Sequence, residues 1–583
     1  MRFERIEIRN LRSFGSEKAV IELPADRNLV AVVGANNAGK SNLIAAVRLA
    51  LGAARRADLD PADFHQLDIT QEVRVEIHLR TPLKKENIFR TTDEIHGFFY
   101  RAWRGDRGED KGRLKFENYC LDASGHTYRP PAAIKRGSAP ADPDTDPVRF
   151  LPAPASRIVP SLGRVHYLTP SLYRAFDTSG YGVLAQLLDL YREDFRSAAN
   201  TYELPDGTTV SRENAYERFS GRMEEILRTP KLASIEASLS ENLRSVLGPR
   251  ATGAEVSLSM PSAEEMLADI LTLHVQDDVA SPALAVERLG DGYRSLVRLA
   301  ILRTYADFGE HTRPAVFLIE EPEAYLNPHL RRVFAATLRS LAELGNDVMV
   351  TTHDAAFVSV DDYPSVLRVA KETGCSKVYR CTAQLDFSYE RVAEKLRRGS
   401  AAEVLFAQRA VLCEGQDDVA VTRTLLDRLG VDVDRCSISV VDCGGRENLP
   451  DYIQLLDQLH IELLVVTDGD ASKIAAADDG TAQKVEAVEK AADGRMFRFA
   501  EDIEAALGTS KTRNNARSLV ELVERLDLDG LPAEDEVAQL AEALKRFCGD
   551  GSAIEAQPAT QQQDPGDGHS AASAAPTPAP PSR

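Results

Sequence analysis

The chain lacks the features that mark several classes of protein. Its 583 residues include seven cysteines, an odd number, which are scattered without a CxxC pair. A disulfide framework and a zinc site are therefore not indicated, and the cysteines are expected to be reduced thiols. There is one tryptophan and no apolar run near 18 residues, so no transmembrane helix and no membrane partner are expected. The first residues alternate charged and apolar side chains, which argues against a secretory signal and favours a cytoplasmic location.

An excess of basic residues is also missing. The formal net charge is −20, and residues 401–583 hold 17 Lys and Arg against 34 Asp and Glu. This balance argues against indiscriminate binding of polyanions. It does not exclude an enzyme that acts on nucleic acid, because local basic patches and bound divalent cations can offset the charge. The length and the 43% hydrophobic composition indicate about three to four domains with sizeable cores.

A glycine-bounded loop between a strand pattern and a helix pattern is the most informative motif. The apolar run at 29–33 precedes it, and a helical pattern at 42–51 follows it. In this order, backbone N–H groups and a helix N-terminus can surround a polyphosphate, with Lys40 reaching the β- and γ-phosphates and Ser41 ligating Mg²⁺. The residues predicted to bind the nucleotide here are Gly34, Asn36, Asn37, Ala38, Gly39, Lys40, Ser41 and Asn42.

Three further segments have the chemistry of a nucleotide hydrolase. An apolar strand pattern ends in Glu320, predicted to hold Mg²⁺, and Glu321, predicted to polarise the water that attacks the γ-phosphate. A later strand pattern ends at His353, which is able to contact a γ-phosphate. About 30 residues before the acidic pair, two glycines precede a helical pattern and can approach an anion closely, although a simple helix-entry turn would give the same pattern. The predicted ligands there are Gly290, Asp291 and Gly292.

The order of these motifs resembles the ABC-type ATPase head, and more closely its RecF/SMC-like branch. Residues 320–328, EEPEAYLNP, are similar to a segment of the OLD (overcoming lysogenisation defect) family, in which Glu also replaces the more usual Asp at the first position. The resemblance implies that two heads sandwich ATP and that the glycine signature of one subunit completes the site of another. At least a dimer is then required. A glutamine that senses the γ-phosphate is also implied; Gln66 and Gln71 are both candidates, and Gln66 is taken as the prediction.

Acidic residues at two strand ends form a second constellation in the C-terminal third. They are Glu414 and Asp418 around the first strand end, and Asp468 and Asp470 after the second, separated by Gly469. Carboxylates in this arrangement can converge on a divalent cation, and an all-oxygen set suits Mg²⁺ or Mn²⁺ rather than zinc. An acidic strand end in an ordinary Rossmann-like domain is the alternative interpretation.

This second constellation resembles the Toprim domain of topoisomerases, primases and OLD nucleases. An ATPase head followed by Toprim is the OLD architecture, and the resemblance covers nearly the whole chain apart from its tail. It implies metal-assisted hydrolysis of DNA phosphodiesters, with two ions at this site and one with ATP. The implied metal-binding and catalytic acids are Glu414, Asp418, Asp468 and Asp470, and Glu504 is a further ligand. A lysine that stabilises charge at the scissile phosphate is also expected, with Lys511 as the prediction and Lys545 as the alternative.

The predicted fold is α/β, an ABC-type ATPase head with an inserted helical unit, followed by a Rossmann-like Toprim domain. The predicted segments are 1–170 and 255–398 for the two halves of the ATPase domain, 171–254 for a helical dimerisation unit, 399–550 for the Toprim nuclease domain and 551–583 for a disordered tail. Periodicity alone leaves an ordinary packed helical layer equally open at 171–254.

Three functions compete. The leading hypothesis is an OLD-type, ATP-dependent DNA endonuclease in bacterial anti-phage defence or DNA repair, acting as a homodimer or a higher homo-oligomer. Since OLD-like nucleases can be controlled by a helicase, as in Gabija-type defence, the resemblance makes a UvrD-like helicase a possible partner. The alternative is a non-nucleolytic RecF/SMC-like clamp or loader whose Toprim fold is structural. A topoisomerase would require a tyrosine near the acids, and Tyr452 and Tyr389 are the nearest in sequence.

Overall fold

A computed structural model of the chain describes the greater part of two α/β regions. The described residues are 2–52, 60–86, 92–105, 111–121, 123, 127–128, 165–169, 195, 197, 199–227, 237, 274–275, 284–285, 288, 290–307, 315–358, 360–382, 402–475, 479–509 and 516–549. Most of the helical unit predicted at 171–254, the tail predicted at 551–583, Tyr389 and Lys511 lie outside them. The predicted domain boundaries stay predictions.

The first 382 residues contain sixteen of the described strands and four α-helices. The strands are β1 (Phe3–Arg9), β2 (Ala19–Glu22), β3 (Leu29–Val33), β4 (Val73–Glu86), β5 (Thr92–Arg104), β6 (Leu114–Leu121), β7 (Thr127–Tyr128), β8 (Val165–Leu168), β9 (Thr201–Glu203), β10 (Thr209–Ser211), β11 (His274–Val275), β12 (Leu284–Ala285), β13 (Val316–Glu320), β14 (Asp347–Thr351), β15 (Val366–Glu372) and β16 (Cys375–Tyr379). The helices are α1 (Lys40–Ala50), α2 (Arg212–Leu227), α3 (Asp291–Asp307) and α4 (Pro328–Glu343).

The remaining described chain has four strands and seven α-helices. The strands are β17 (Arg409–Cys413), β18 (Ile438–Asp442), β19 (Glu462–Thr467) and β20 (Met496–Arg498). The helices are α5 (Gln416–Arg428), α6 (Leu449–Gln458), α7 (Ala471–Ala475), α8 (Asp479–Ala492), α9 (Ile503–Ala506), α10 (Ala516–Arg525) and α11 (Glu536–Cys548). Short 3-10 turns occupy Pro61–Asp63, His65–Leu67, Ala355–Phe357, Val360–Ser365, Ala402–Phe406, Arg446–Asn448 and Leu528–Gly530.

Twelve strands of the N-terminal region form two six-stranded sheets, while β9 pairs with β10 and β11 with β12 in two-stranded antiparallel sheets. The first sheet is antiparallel, in the order β2-β1-β4-β5-β6-β7. The second has the order β16-β15-β3-β14-β13-β8 and is parallel except for its edge strand β16. Apolar residues of α1, including Leu43 and Val47, share one buried cluster with Ile77 of the first sheet and Val32 of the second. Helix α1 therefore packs between the two sheets, since its apolar side chains bury against both.

The parallel register brings distant motifs to one edge of the second sheet. Glu320 at the end of β13 pairs with Thr351 at the end of β14, and Thr351 pairs with Val32 of β3, just before the phosphate loop. Because the carboxyl ends of parallel strands lie at the same edge, residues more than 300 positions apart become neighbours there. This edge carries the loop, the acidic pair and His353.

The third sheet, in the C-terminal region, is entirely parallel. Its order is β18-β17-β19-β20, so β17 and β19 are its two central strands. Their apolar residues are buried on both faces, as is typical of a parallel sheet covered by helices. One buried cluster contains Ala31 and Phe317 of the second sheet together with Leu412 and Val465 of the third. The two regions therefore share a continuous apolar core.

The predicted elements at the motifs are present, and they differ from the observed ones in the bounds of two helices. Strand β3 has the predicted bounds, whereas α1, predicted at 42–51, begins at Lys40 and ends at Ala50. Helix α3 was predicted from residue 296, but it begins at Asp291, so the second glycine of the predicted signature lies inside its first turn. In the part of the chain that the structure describes, no helix is long and apolar enough to span a membrane.

Candidate functional site

Two glycines of the phosphate loop are required by the strands that support it. Gly34 has φ 137°, and a Cβ at this position would lie 2.1 Å from the carbonyl oxygen of Val369 on β15. Gly39 has φ 112°, and its Cβ would lie 2.2 Å from Oγ of Ser376 on β16. Residues other than glycine rarely adopt a backbone conformation with positive φ, and the neighbouring strands leave no space for a Cβ at either position. The hairpin formed by β15 and β16 therefore fixes the loop from behind.

Lys40 begins α1 and is buried inside the loop. Its Nζ donates to the carbonyl oxygens of Gly34 at 3.0 Å and Ala35 at 2.9 Å. Burial lowers the pKa of Lys40 to about 8, and the charges of Glu321 and Glu323 act in the opposite direction. A polyphosphate bound in the loop would supply a negatively charged partner, which favours the protonated form of Lys40.

The predicted acids and histidine lie around Lys40. Glu320 accepts a hydrogen bond from the hydroxyl of Tyr167 at 2.8 Å, and the charge of Glu321 acts on both Lys40 and His353. Burial and then the charge of Lys40 lower the pKa of His353, which favours the neutral imidazole. The backbone N–H of His353 donates to Glu323 at 2.6 Å. The structure thus brings the predicted hydrolytic residues together.

Other predicted nucleotide ligands have mixed positions. Asn36, Asn37 and Ser41 are exposed on the loop, while Asn42 donates from Nδ2 to Oγ of Ser13 at 2.7 Å.

Gln66 lines an open cavity of about 480 Å³ together with Arg12, whereas Gln71 is exposed and does not line this cavity. The sequence analysis missed Arg12 and Ser13. Both residues lie in the run Asn10 to Phe14 that follows β1. The contacts between this run and the phosphate loop are not visible in sequence.

The glycine signature faces outward from its own subunit. Gly290 is exposed, and a Cβ placed on it would have no atom within 4 Å, while Asp291 pairs with Arg294 at 3.5 Å. A Cβ on Gly292 would lie 3.7 Å from the carbonyl oxygen of Tyr325, whose side chain is 62% exposed. The signature therefore offers its backbone to solvent or to another molecule.

The C-terminal acids meet at the carboxyl edge of the third sheet. Glu414 follows β17, Asp468 and Asp470 follow β19, and Asp418 lies in the first turn of α5. Asp418, Asp468, Asp470 and Glu504 are each less than 10% exposed. Glu504, on α9, is close enough that its charge acts on Asp418. All five predicted acids therefore surround one region.

The turn after β19 depends on Gly469. A Cβ there would lie 2.1 Å from the carbonyl oxygen of Phe499 and 2.5 Å from that of Ala500. The backbone N–H groups of Gly469 and Asp470 both donate to the carbonyl oxygen of Glu501, at 2.8 and 2.9 Å. This close approach to the segment after β20 sets the directions of the two aspartates on either side of the glycine.

Arg446 is the main residue of this site that the sequence analysis missed. Its Nε donates to Oε1 of Glu414 at 2.8 Å, and its Nη2 donates to Oδ2 of Asp470 and to the carbonyl oxygen of Asp468, each at 2.9 Å. It follows Gly444 and Gly445, which have φ 75° and 132°. The two glycines can be seen in the sequence, but the direction in which the Arg446 side chain points cannot.

The acidic cluster concentrates negative charge in a buried place, which raises the pKa of one of its carboxyl groups. Burial, followed by the charges of Asp468, Glu414 and Glu504, raises the pKa of Asp418 to about 8, although the N–H of Gly415 donates to it at 3.0 Å. An all-oxygen donor set with excess negative charge fits a hard divalent cation. The residues present therefore suit Mg²⁺ or Mn²⁺.

No three of the five C-terminal acids, all of them described residues, have their ligand atoms within 4.8 Å of one another. Within the described part of the chain, one group of three acidic or histidine side chains has its ligand atoms within 4.8 Å of one another, and it is Glu7, Glu76 and His78 on the first sheet. There, Lys18 already pairs with Glu7 at 2.9 Å. In the C-terminal cluster, the guanidinium group of Arg446 lies between Glu414 and Asp470 and donates a hydrogen bond to each.

The candidate lysines and tyrosines differ in position. Lys511 and Tyr389 lie outside the described residues, and Lys545 is on α11, where it pairs with Glu542 at 3.2 Å. Tyr452 is 1% exposed in the core of α6, and burial raises its pKa. A buried phenol cannot reach a DNA backbone, so Tyr452 does not support topoisomerase chemistry.

A direct connection joins the phosphate loop to the C-terminal region. Arg368 of β15 pairs in register with Val33, the last residue before the loop. Its guanidinium group is buried and donates to the carbonyl oxygens of Leu459 and His460, each at 2.9 Å, and of Ala407 at 3.0 Å. The strand that supports the loop is therefore bonded to the end of α6 and to the segment that precedes β17.

Sequence comparisons match the same regions. Residues 405–470 match the model of the "Overcoming lysogenization defect protein-like, TOPRIM domain". Residues 208–358 match an AAA ATPase domain, and residues 5–119 match an AAA domain. An OLD nuclease of Thermus scotoductus is 25% identical over 93% of this chain and 98% of its own length.

The chain is similar in sequence to this OLD nuclease over nearly its whole length. A second relative, the Old nuclease of Escherichia phage P2, is 20% identical over 81% of this chain and 77% of its own length. The predictions of OLD resemblance and of an α/β fold with an ATPase head followed by a Toprim domain are thereby confirmed. The chain thus combines an ATPase domain and a Toprim domain.

Solved SMC heads are also similar to parts of this chain. The SmcHead bound to the C-winged helix domain of ScpA is 17% identical with a TM-score of 0.37, covering 66% of this chain and 98% of its own. The SMC head domain from Thermotoga maritima is 15% identical with a TM-score of 0.28, covering 66% of this chain and 100% of its own.

Proposed function

We propose that this chain is a DNA endonuclease that requires a divalent metal ion and whose cutting is governed by ATP. The observation that carries the proposal is the presence of two separate chemical sites in one chain. A phosphate loop faces Glu320, Glu321 and His353, and a buried acidic cluster lies at the edge of a second parallel sheet. The homologous OLD nucleases support the assignment of nuclease activity.

The residues of the first site have distinct roles in this proposal. Lys40 exchanges its carbonyl partners for the β- and γ-phosphates of ATP, and Ser41 and Glu320 hold the Mg²⁺ that accompanies the nucleotide. Glu321 orients and polarises the attacking water. His353, kept neutral by its lowered pKa, donates a hydrogen bond to the γ-phosphate.

The residues of the second site hold the ions that act on DNA. Two divalent ions supply an activated water and a stabilised leaving oxygen when bound. Glu414, Asp468 and Asp470 bind them most directly, Asp418 and Glu504 complete the acidic shell, and Lys511 offsets charge at the scissile phosphate. A protein nucleophile is not required, which agrees with the burial of Tyr452.

Assembly into at least a homodimer is part of the proposal. Gly290 is exposed and Tyr325 is 62% exposed, so both are accessible to the second head that we propose completes the nucleotide site. Higher homo-oligomers are compatible with the same contact.

Plasmid cleavage tests the proposal directly. Supercoiled plasmid incubated with the protein and Mg²⁺ or Mn²⁺, with and without ATP, should be nicked or linearised. Asp468→Ala should abolish cutting, because it removes a central ligand, whereas Asp427→Ala, an exposed acid on α5, should leave it unchanged. Intact plasmid with the wild-type protein under every metal, or full cutting by Asp468→Ala, would contradict the proposal.

A non-nucleolytic DNA clamp or loader is the second candidate. The observation that favours it is the pairing of Arg446 with Glu414 and Asp470, which places a cation of the protein itself among the acids. This candidate predicts DNA-stimulated ATP hydrolysis that is lost in Lys40→Ala, with no strand breakage in the presence of any metal. The same plasmid assay therefore separates the two.

The proposed cellular role is anti-phage defence or DNA repair, with a UvrD-like helicase as a possible partner. Plaque counts and survival after DNA damage should differ between cells that express the wild-type protein and cells that express Asp468→Ala. Equal values in both assays would remove the cellular part of the proposal while leaving the plasmid result intact. Co-purification with the product of a neighbouring gene would test the helicase.

A further inference from the structure

Arg446 is a buried cation at the centre of the C-terminal acids. It is 7% exposed, and its three described hydrogen bonds all reach residues of the acidic strand ends. Burial opposes its charge, but Glu414 and Asp470 more than compensate and raise the pKa of Arg446. The guanidinium group is therefore permanently charged and held in one geometry.

The donors at Glu414 all converge on one of its two carboxylate oxygens. Oε1 accepts from Nε of Arg446 at 2.8 Å, from the N–H of Asp468 at 3.1 Å and from the hydroxyl of Thr467. Among the described residues, no hydrogen bond to Oε2 is present. The carboxylate is thus fixed in rotation with Oε2 directed away from its donors, as a metal ligand needs to be.

The same side chain also fixes the second acidic strand end. Nη2 donates to Oδ2 of Asp470 and to the backbone carbonyl of Asp468, so one planar group spans β17 and the turn after β19. A guanidinium fork can orient two groups at once, whereas the single ammonium of a lysine cannot reproduce both directions.

We infer that Arg446 is a positioning residue that holds Glu414 and Asp470 in the orientation required to bind the divalent ions. The inference rests on the proposed metal site and deepens it. The alternative role, a built-in cation that competes with the metal, predicts the opposite effect of removing its charge. Metal affinity therefore distinguishes the two roles without reference to cutting.

Titration of the full-length, metal-stripped protein with Mn²⁺ by calorimetry provides the test. Arg446→Lys keeps the charge but loses the fork, and Arg446→Met loses both. Both variants should bind Mn²⁺ roughly 10- to 100-fold more weakly than the wild type, the usual effect of removing a group that orients metal ligands. The matched control is Arg423→Met, which removes an exposed arginine from α5 near the acids and should bind as the wild type does.

The outcomes separate failure of the inference from failure of the proposed function. Wild-type affinity in Arg446→Lys, or tighter binding by Arg446→Met, would overturn the positioning role. No Mn²⁺ binding by the wild type would instead overturn the metal site itself. Affinity for a fluorescent ATP analogue at the phosphate loop checks that each variant is folded, because that site lies on a different sheet.

Discussion

Gly469 shows how a single residue type can be imposed by backbone contacts. Its neighbours on either side are predicted metal ligands, and carbonyl oxygens of the segment after β20 occupy the space of a Cβ. A glycine between two aspartates is visible in sequence, but the reason for it is the approach of residues about 30 positions later.

We predict that Gly469→Ala destabilises the protein by about 1–3 kcal/mol, because the new methyl group must displace two backbone carbonyls. Mn²⁺ binding should weaken as the two aspartates move, while affinity for an ATP analogue should be unchanged. Thermal unfolding and calorimetry measure these effects. Gly480→Ala, with no atom within 4 Å of its Cβ, is the control and should unfold at or slightly above the wild-type temperature.

Asp418 gives a prediction about pH. Its pKa is about 8 in the folded protein and near 3.8 when unperturbed. Between about pH 4 and pH 8 the unfolded chain releases this proton and the folded chain retains it, so the free energy of unfolding falls as the pH rises. A variant without the Asp418 carboxyl group should not show this decrease in the free energy of unfolding.

Asp418→Asn should therefore unfold at a higher temperature than the wild type at pH 8 in EDTA, by about 2 °C or more. The difference should shrink towards pH 4, where both side chains are neutral. Added Mn²⁺ should stabilise the wild type and have a smaller effect on the variant. A variant that is equally or less stable than the wild type at pH 8 would contradict the assigned cost of burying the carboxylate.

At the scale of elements, the β15–β16 hairpin connects the two chemical sites. Val369 and Ser376 contact the phosphate loop, and Arg368 bonds to three carbonyl oxygens of the C-terminal region. Tyr379 of β16 also stacks on His460, with ring centroids 4.1 Å apart. A contiguous packed element of this kind can transmit a change in loop conformation.

We predict that Arg368→Ala uncouples the sites. A nucleotide effect on DNA cleavage, roughly 5-fold or more in the wild type, should fall to near unity, because the hairpin loses its bonds to the third sheet. Nucleotide affinity should change little. Cleavage rates with and without ATP measure the coupling, and Lys371→Ala, which removes an exposed cation from the same strand, is the control. An unchanged ratio in Arg368→Ala would exclude this route.

At the scale of the whole molecule, one chain holds one phosphate loop and one glycine signature. Gly290 has open space around it, so a large side chain there can be accommodated within its own subunit. The effect of such a substitution on ATP hydrolysis therefore reports on contact with another subunit.

Gly290→Arg should abolish ATP hydrolysis while leaving thermal stability unchanged. Lys40→Ala should abolish it as well. An equimolar mixture of the two variants, after subunit exchange, should recover about one quarter of the wild-type rate, because half of the dimers then contain one intact composite site of two. No recovery after confirmed exchange would contradict a shared site, and Gly480→Arg is the control for the added side chain.

Much of the fold and of both sites could be predicted because the decisive signals are local. Apolar runs that end in a glycine loop or in acids define strand ends over eight to ten residues, and parallel strands then place those ends at one edge. The start of α3 was misplaced by five residues, since glycines in a first helical turn carry no apolar periodicity. Lys511 stays a prediction.

The sequence by itself determined the chemistry that each strand end carries, namely the phosphate loop, the paired glutamates and the four acids. The tertiary structure decided which other side chains those groups touch. Arg446 reaches Glu414 across 32 positions, and Arg368 reaches Leu459 across 91. Such contacts depend on strand order and on the direction of one side chain. Neither leaves a periodic or spaced pattern in the sequence, because a long-range contact is fixed by packing and not by local backbone preference.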